Sequence, residues 1–505
     1  MLDTLAIAMV GPFESRRTRR RRPGRLLQMT ITDRPSWVAD AIFYQIFPDR
    51  FAASSRVPKP ENLEAWEATP TRHGYKGGDL YGVIEHLDWL TDLGVTAIYF
   101  NPIFQSASNH RYHTHDYYLI DPLLGGDPAF EALMKACRDR AIRVVLDGVF
   151  NHASRGFFRF NDILENGPDS PWLDWFSIRS TPLNAYREDE SPNYSAWWDD
   201  HALPQLNTET PAVREYLMEV AEHWVRRGID GWRLDVPEEI ETKGFWEEMR
   251  ERVRAINPEA YLVGEVWGQA DAWINYGTRF DGVMNYPITE ANLRFAAAGR
   301  IDDDVVAPVN LNLAPPLDAP GYAAAVAEHF DLYPPQAHNA NLNLLGSHDT
   351  ARVHSMVGGD RDSVMLAAAL MLTFPGAPCV YYGDEIGVPG GHDPGCRAGF
   401  PWDRPDEWDR DLLTTFHDLI ALRSAEPALR HGEYRTLSAD GHLYVFSRTG
   451  DDGGVVVGVN AGDVSATAGF ESVAVGDRLW GDGSATEPTS VSVPGRSAAI
   501  WTTAR

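Results

Sequence analysis

From about Trp37 to Arg423 the chain alternates two hydrophobic patterns. Short runs of apolar, β-branched and aromatic residues are followed by stretches in which apolar positions return every three or four residues. That alternation is the signature of βα units and a parallel sheet. Eight runs predict strands: Ala41–Phe47, Val95–Asn101, Ile142–Val149, Gly231–Asp235, Tyr261–Glu265, Gly282–Asn285, Leu342–Gly346 and Cys379–Tyr382. Eight is the number that closes a TIM (β/α)8 barrel, so the expected fold class is α/β. The helices between them carry their own start and stop signals. Asp127-Pro128 predicts a helix with Phe130, Leu133, Met134 and Cys137 on its inner face. Thr210-Pro211 predicts another, with Val213, Leu217, Val220 and Trp224 inside and Gly228 as its stop.

Three stretches depart from this rhythm. Residues 152–208, between the third strand and the helix opened by Thr210, are rich in Trp, Pro, Asn and Asp. A connection that long inside a compact domain is usually functional, so it predicts a small inserted domain beside the mouth of the barrel. The barrel itself then occupies 37–151 and 209–430. Over residues 431–505 the pattern changes to alternating strands, such as His442–Ser447 and Gly454–Val459, around Asp-Gly and Gly-Gly turns. This predicts a C-terminal antiparallel β-sandwich. Residues 1–36 read as a basic, disordered tail, or as an extension upstream of a true start at Met29. The apolar stretch Leu5–Val10 precedes the arginine-dense Arg16–Arg25, the reverse of a secretory signal.

Composition narrows the function classes. Apolar residues at 44% supply a packed core, and a net charge of −27 excludes a nucleic-acid partner. No apolar run approaches the roughly 20 residues of a membrane span, so no membrane association is expected. Cys137, Cys379 and Cys396 lie far apart with no metal-ligand spacing, and the expected compartment is the reduced cytoplasm. Only four of the 45 basic residues are lysines: Lys59, Lys76, Lys135 and Lys243. The sixteen Trp and nineteen Tyr suit both a core and the stacking of sugar rings.

Barrel enzymes gather their reactive groups at the C-terminal ends of strands. Here those ends read Asp147-Gly-Val-Phe-Asn151-His152, Arg233-Leu-Asp235, Glu265-Val-Trp267 and His348-Asp349. Charged groups converging on one buried mouth repel unless they serve a reaction. Retaining glycosidic cleavage needs a carboxylate nucleophile and a second carboxyl that acts as acid and then as base, roughly 5 to 5.5 Å apart. Asp235 and Glu265, on neighbouring strands, are the candidates. Arg233 is expected to keep Asp235 ionised, and apolar neighbours to raise Glu265 toward a general acid. Asp349 would bind sugar hydroxyls, with His152 and His348 as hydrogen-bond partners.

These strand ends, with Gly94-Val-Thr-Ala-Ile-Tyr-Phe-Asn-Pro and the segment Gly376–Gly387, resemble in order the motifs of the α-amylase family of glycoside hydrolases. The resemblance implies Asp235 as nucleophile, Glu265 as acid/base and Asp349 as transition-state stabiliser. It implies Arg233, His152 and His348 as contacts to sugar or nucleophile, and Tyr112 as the ring that stacks on the sugar being cleaved. Asn151 matches a calcium ligand in many relatives. No cofactor is required on this reading, and calcium is left open. At the first loop, Phe47-Pro-Asp49-Arg-Phe51 resembles the start of a metal site, but Ala52-Ala-Ser-Ser lacks the oxygens of a calcium cage, so no metal is expected there.

Leu203-Pro-Gln-Leu-Asn207 and Asp393-Pro-Gly-Cys-Arg397 resemble the neopullulanase, cyclomaltodextrinase and maltogenic amylase subgroup. There such an Asp393 and Arg397 hold the sugar on the non-reducing side, and Trp267 lines an acceptor subsite. Val236-Pro-Glu238-Glu239 departs from that subgroup's pattern at Glu238. The extra N-terminal β-domain typical of the subgroup is not expected before a first strand near Ala41, which leaves monomer or dimer open. The expected activity is cleavage of α-1,4 bonds, and of α-1,6 bonds in some substrates, in maltooligosaccharides, cyclodextrins, pullulan or starch. Alternatives are a transferase or isomerase such as a trehalose synthase, an oligo-1,6-glucosidase or α-glucosidase, and a non-catalytic glucan-binding protein.

Overall fold

The computed structural model describes residues 34–187, 189–274, 277–308, 311–451 and 453–504. Eight strands form one parallel sheet: β1 (Phe43–Ile46), β2 (Ala97–Phe100), β3 (Arg143–Gly148), β4 (Gly231–Leu234), β5 (Tyr261–Gly264), β6 (Gly282–Val283), β7 (Leu342–Leu344) and β8 (Ala377–Tyr381). Each lies within or overlaps its expected run. Nearly every strand residue is buried, as a sheet covered on both faces requires. Strands β1 to β6 pair in chain order, β1 also pairs β8, and β8 pairs β7. The ring closes at one place only, a parallel bridge of Met284 with Leu342, where the Asn285 amide donates to the Leu342 carbonyl at 2.9 Å.

The outer helices follow from their apolar stripes. Helix α1 (Gly126–Asp139) buries Phe130, Leu133, Met134 and Cys137. Gly125 is its N-cap, so Asp127 lies in its first turn, where its charge faces the positive end of the helix dipole, and does not cap it. Helix α2 (Pro211–Arg226) buries Val213, Leu217, Val220 and Trp224, and Gly228 (φ 99°) turns the chain out of it. Helices α3 (Tyr286–Ala296), α4 (Ala319–Leu332) and α5 (Arg361–Thr373) cover the far side of the ring.

Among its described residues the stretch 152–208 holds one α-helix, Phe158–Asn166, and the single-turn 3-10 helices Gly167–Asp169, Leu173–Trp175 and Trp197–Asp199, joined by isolated bridges. One bridge pairs His152 with Gln205, which seats the end of this stretch directly against the third strand's loop. The C-terminal strands are β9 (Glu433–Asp440), β10 (Leu443–Gly450), β11 (Gly453–Asn460), β12 (Ala466–Gly469), β13 (Val475–Gly481), β14 (Ser484–Glu487), β15 (Ser490–Val493) and β16 (Ser497–Thr503). They form two antiparallel sheets, ordered β9-β10-β11-β16-β13 and β12-β15-β14. Leu443, Val445, Val456 and Trp501 pack against Ala468, Phe470, Val491 and Val493 between them. The other face of the larger sheet joins the barrel's core. Tyr444 packs edge-on to Tyr322 of α4, and the Arg448 guanidinium donates at 2.7 Å to the Thr373 carbonyl at the end of α5.

The expected basic tail lies outside the described residues, apart from its last three positions. Arg34 to Ser36 are not loose: Arg34 donates to the Ile274 and Asp281 carbonyls, and Ser36 donates to Glu259. Those contacts fasten this segment to the barrel.

Candidate active site

Because all eight strands are parallel, their C-terminal ends open on one mouth. Arg233, fully buried on β4, is the hub of that mouth. Its Nη1 donates to both oxygens of Asp147 (2.9 and 3.1 Å) and to Asp235 Oδ1 at 2.9 Å, while its Nη2 lies 2.9 Å from Glu265 Oε1. Asp235 and Glu265 therefore flank a single guanidinium. A retaining pair needs two carboxyls flanking the scissile bond, and one guanidinium holds this pair together. Arg233 and Asp235, two residues apart in an extended segment, project to the same side and meet there.

The electrostatics differ from the sequence expectation at Asp235. Burial raises Glu265 from 4.5 to about 7 against the opposing pull of Arg233. Asp235 was expected to be held low by Arg233. Instead its carboxyl stands well above the ordinary range, because burial comes first, and Glu265, Asp147 and Asp349 add like charge against the single guanidinium. Three buried carboxyls share one cation, so they cannot all be ionised together at little cost. A proton kept on Glu265 removes one of the charges that oppose ionisation of Asp235. The division of roles thus depends on the pair and not on Arg233 alone.

A second layer orients the rim. Tyr112 Oη donates to Asp147 Oδ2 (2.8 Å), receives Asn101 Nδ2 (3.0 Å) and lies 2.6 Å from His348 Nε2. Gln45 Nε2 reaches both Asn101 Oδ1 (3.1 Å) and His348 Nδ1 (2.9 Å). An amide nitrogen can only donate, so Nδ1 accepts and the proton of His348 sits on Nε2, facing Tyr112 and Asp349 Oδ2 at 3.1 Å. Burial keeps His348 neutral. Asp349 is one-third exposed at the mouth, where Arg397 Nη2 holds its Oδ1 at 3.1 Å. The same Arg397 pairs with Asp393 at 2.8 Å and anchors its Nε on the His348 carbonyl.

The remaining candidates join the same mouth. His152 is buried with its Nε2 unpartnered among the described residues, and burial lowers it to about 3. Trp267 stacks on Tyr286 (centroids 3.8 Å, planes 5° apart), and its Nε1 lies 3.3 Å from Glu265 Oε1. It is thus both packed and in contact with the acid. Residue-by-residue reading missed Gln45, Asn101, Tyr99 and Val236. Tyr99 donates to Asp147 at 2.8 Å. Val236 adopts φ 34°, ψ 54°, a left-handed conformation that is costly for a β-branched residue, and aims its N–H at Glu265 Oε2 (3.1 Å). A signal was available for Gln45, the one polar side chain in a fully buried four-residue strand. None was available for Val236.

At both places where the sequence resembles a calcium site, the side chains are engaged by protein partners. Asn151 Oδ1 already accepts from Gln205 Nε2 at 2.9 Å. In the first loop Asp49 accepts the Lys76 and Gly77 amides and pairs with Arg50. Asp79, which starts the next helix, receives Ser54, Gly82 and the ammonium of Lys59. The lysine supplies the positive charge that a cation would bring. Among the described residues no grouping of three or more His, Cys, Asp or Glu side chains could hold a metal, and no helix is long and apolar enough to cross a membrane.

Residues 45–407 match the family described as alpha amylase, catalytic domain. The chain is 44% identical over 428 residues to a cyclomaltodextrinase from a Bacillus species, covering 83% of this chain and 73% of that protein. It is 40% identical over 453 residues to neopullulanase 2 of Thermoactinomyces vulgaris, covering 89% and 74% respectively. Among solved structures, the debranching enzyme of Nostoc punctiforme superposes with a TM-score of 0.87 at 50% identity, over 94% of this chain and 100% of that one.

Proposed function

The chain belongs to the α-amylase family, and we propose that within it the protein hydrolyses α-1,4 bonds, and α-1,6 bonds in branched or pullulan-type substrates, with Asp235 and Glu265 as the working pair. It is a retaining glycosidase. The observation that carries the residue roles is the single Arg233 guanidinium gripping both carboxyls. In the first step Glu265 gives its proton to the glycosidic oxygen as Asp235 bonds to the anomeric carbon and the leaving glucan departs. In the second, Glu265 takes a proton from water, whose oxygen replaces Asp235 at the same carbon. Asp349, steadied by Arg397 and His348, accepts hydrogen bonds from ring hydroxyls as positive charge develops. His152 Nε2 is free for the same sugar. Tyr112 presents its ring beside them.

Maltooligosaccharides, cyclodextrins, pullulan and starch are the substrate class that the named relatives support. Three unpaired, buried thiols suit a reducing cytoplasm. Asp235→Asn should abolish turnover of maltoheptaose while leaving the fold intact, with a melting temperature no lower than the parent's. Undiminished release of reducing ends would overturn the assignment. A chromatographic profile on starch, pullulan and β-cyclodextrin then sorts the substrates, and panose from pullulan supports the neopullulanase-like reading.

A further inference from the structure

Trp198 is the most exposed large apolar ring among the described residues, 76% open to solvent. Its backbone is held at φ 51°, ψ 33°, and Asp199 follows at φ 56°. Two consecutive left-handed residues without glycine are costly, and such strain persists where the surrounding structure imposes it. Here the imposing structure is clear. Trp197 N–H donates to the Leu203 carbonyl, Asp200 N–H donates back to Trp197, and Ala196 bridges Pro204. The turn is thereby clamped onto the segment whose next residue, Gln205, bridges His152.

The rings form a ladder. His152 stacks on Trp197 (centroids 5.4 Å, planes 25° apart), and Trp197 stacks on Trp198 (4.9 Å, 10°). His152 is the buried end of this ladder, on the loop that follows β3, and Trp198 is its exposed end. Two polar atoms on the ladder, His152 Nε2 and Trp197 Nε1, are buried and unpartnered among the described residues. Buried donors without partners are expensive in a resting protein, and a hydroxyl-rich ligand would relieve them. The carboxylate of exposed Asp199 adds an acceptor beside the outer ring.

We propose that Trp198 is a stacking platform for a glucosyl unit of the substrate, outside the ring being cleaved. The proposal rests on the α-glucan reading above. A flat indole with one free face matches the apolar face of a pyranose. Its rigid support means that little side-chain freedom is lost on binding. A platform two ring contacts outward from His152 matters only to chains long enough to reach it.

The test compares kcat/KM for maltoheptaose and maltotriose in the parent enzyme, Trp198→Gly and Trp198→Phe. Glycine suits the left-handed backbone, so the turn survives loss of the ring. The ratio of the two values, long substrate over short, should fall about five- to tenfold in the glycine variant, the worth of one aromatic stack. Phenylalanine should restore most of it. An unchanged ratio in Trp198→Gly, or a fall that phenylalanine leaves uncorrected, overturns the proposal while leaving the catalytic reading intact. A parent enzyme that cleaves neither sugar overturns both.

Discussion

At Glu265, burial outweighs the Arg233 guanidinium and lifts the carboxyl to about 7. A general acid must carry its proton when substrate arrives, so kcat/KM should decline on the alkaline side with an apparent pKa near that value. The same shift has a consequence for stability. The folded pKa is raised above the ordinary 4.5, so the contribution favouring the fold is present at acid pH and is lost as the pH climbs through about 7. Glu265→Gln carries no such charge. Its melting temperature should match the parent near pH 4 and exceed it increasingly toward pH 8, by up to roughly 3 kcal/mol in stability. A difference flat across that range would show that Arg233 compensates the buried charge fully. Asp235 is the instructive neighbour. The adjacent arginine was legible in the sequence, but the net effect of three carboxyls around it was not, because charge balance in a buried site depends on which side chains converge there.

Among the elements, the first-loop clamp replaces ion chemistry with a side chain. Lys59 is one of four lysines in the chain, and its ammonium reaches the buried Asp79 at the start of the helix Leu80–Glu85. Lys59→Met should lower stability by about 1–3 kcal/mol, since Asp79 keeps its bonds from Ser54 and Gly82 but loses its counter-charge. A chelator should leave the parent's melting temperature unchanged, and a drop on chelation would overturn the clamp. This element was half legible: the missing oxygens after Phe51 could be read, the lysine that stands in for them could not. The eight strands were readable because a doubly covered sheet is apolar along its whole length. So were α1 and α2, whose apolar stripes are unambiguous. The inserted stretch 152–208 gave away its location but not its shape. Its turns are held by backbone bridges and by rings such as Trp197, and neither leaves a period in the sequence. Val236 is the extreme case, since nothing about a valine announces a left-handed backbone.

Across the whole molecule, the C-terminal sandwich and the barrel share one interior. Arg448 of β10 donates to the Thr373 carbonyl, Arg423 donates to Leu372, Phe374 and Gly376, and Tyr434 stacks on Phe446 beside Phe330 and Phe374. Cations set on the carbonyls that end α5 satisfy acceptors a helix terminus leaves open. The acceptors in these bonds are all backbone carbonyls. The ring of strands is less even. Seven of its seams are ladders of two to four residue pairs, while the eighth, between β6 and β7, has a single backbone bridge, Met284 with Leu342, beside side-chain bonds from the Val283 amide to Asn341 and from Asn285 to Asn343. A closed cylinder opens where the fewest bonds hold it. In deuterated buffer, the amides of Val283 and Asn285 should therefore exchange well before those of β2 to β4, and uniform protection around the ring would refute this. The loop bearing His348 and Asp349 leaves from one lip of that seam, so brief parting there would loosen one wall of the mouth while the wall bearing Asp235 stays fixed.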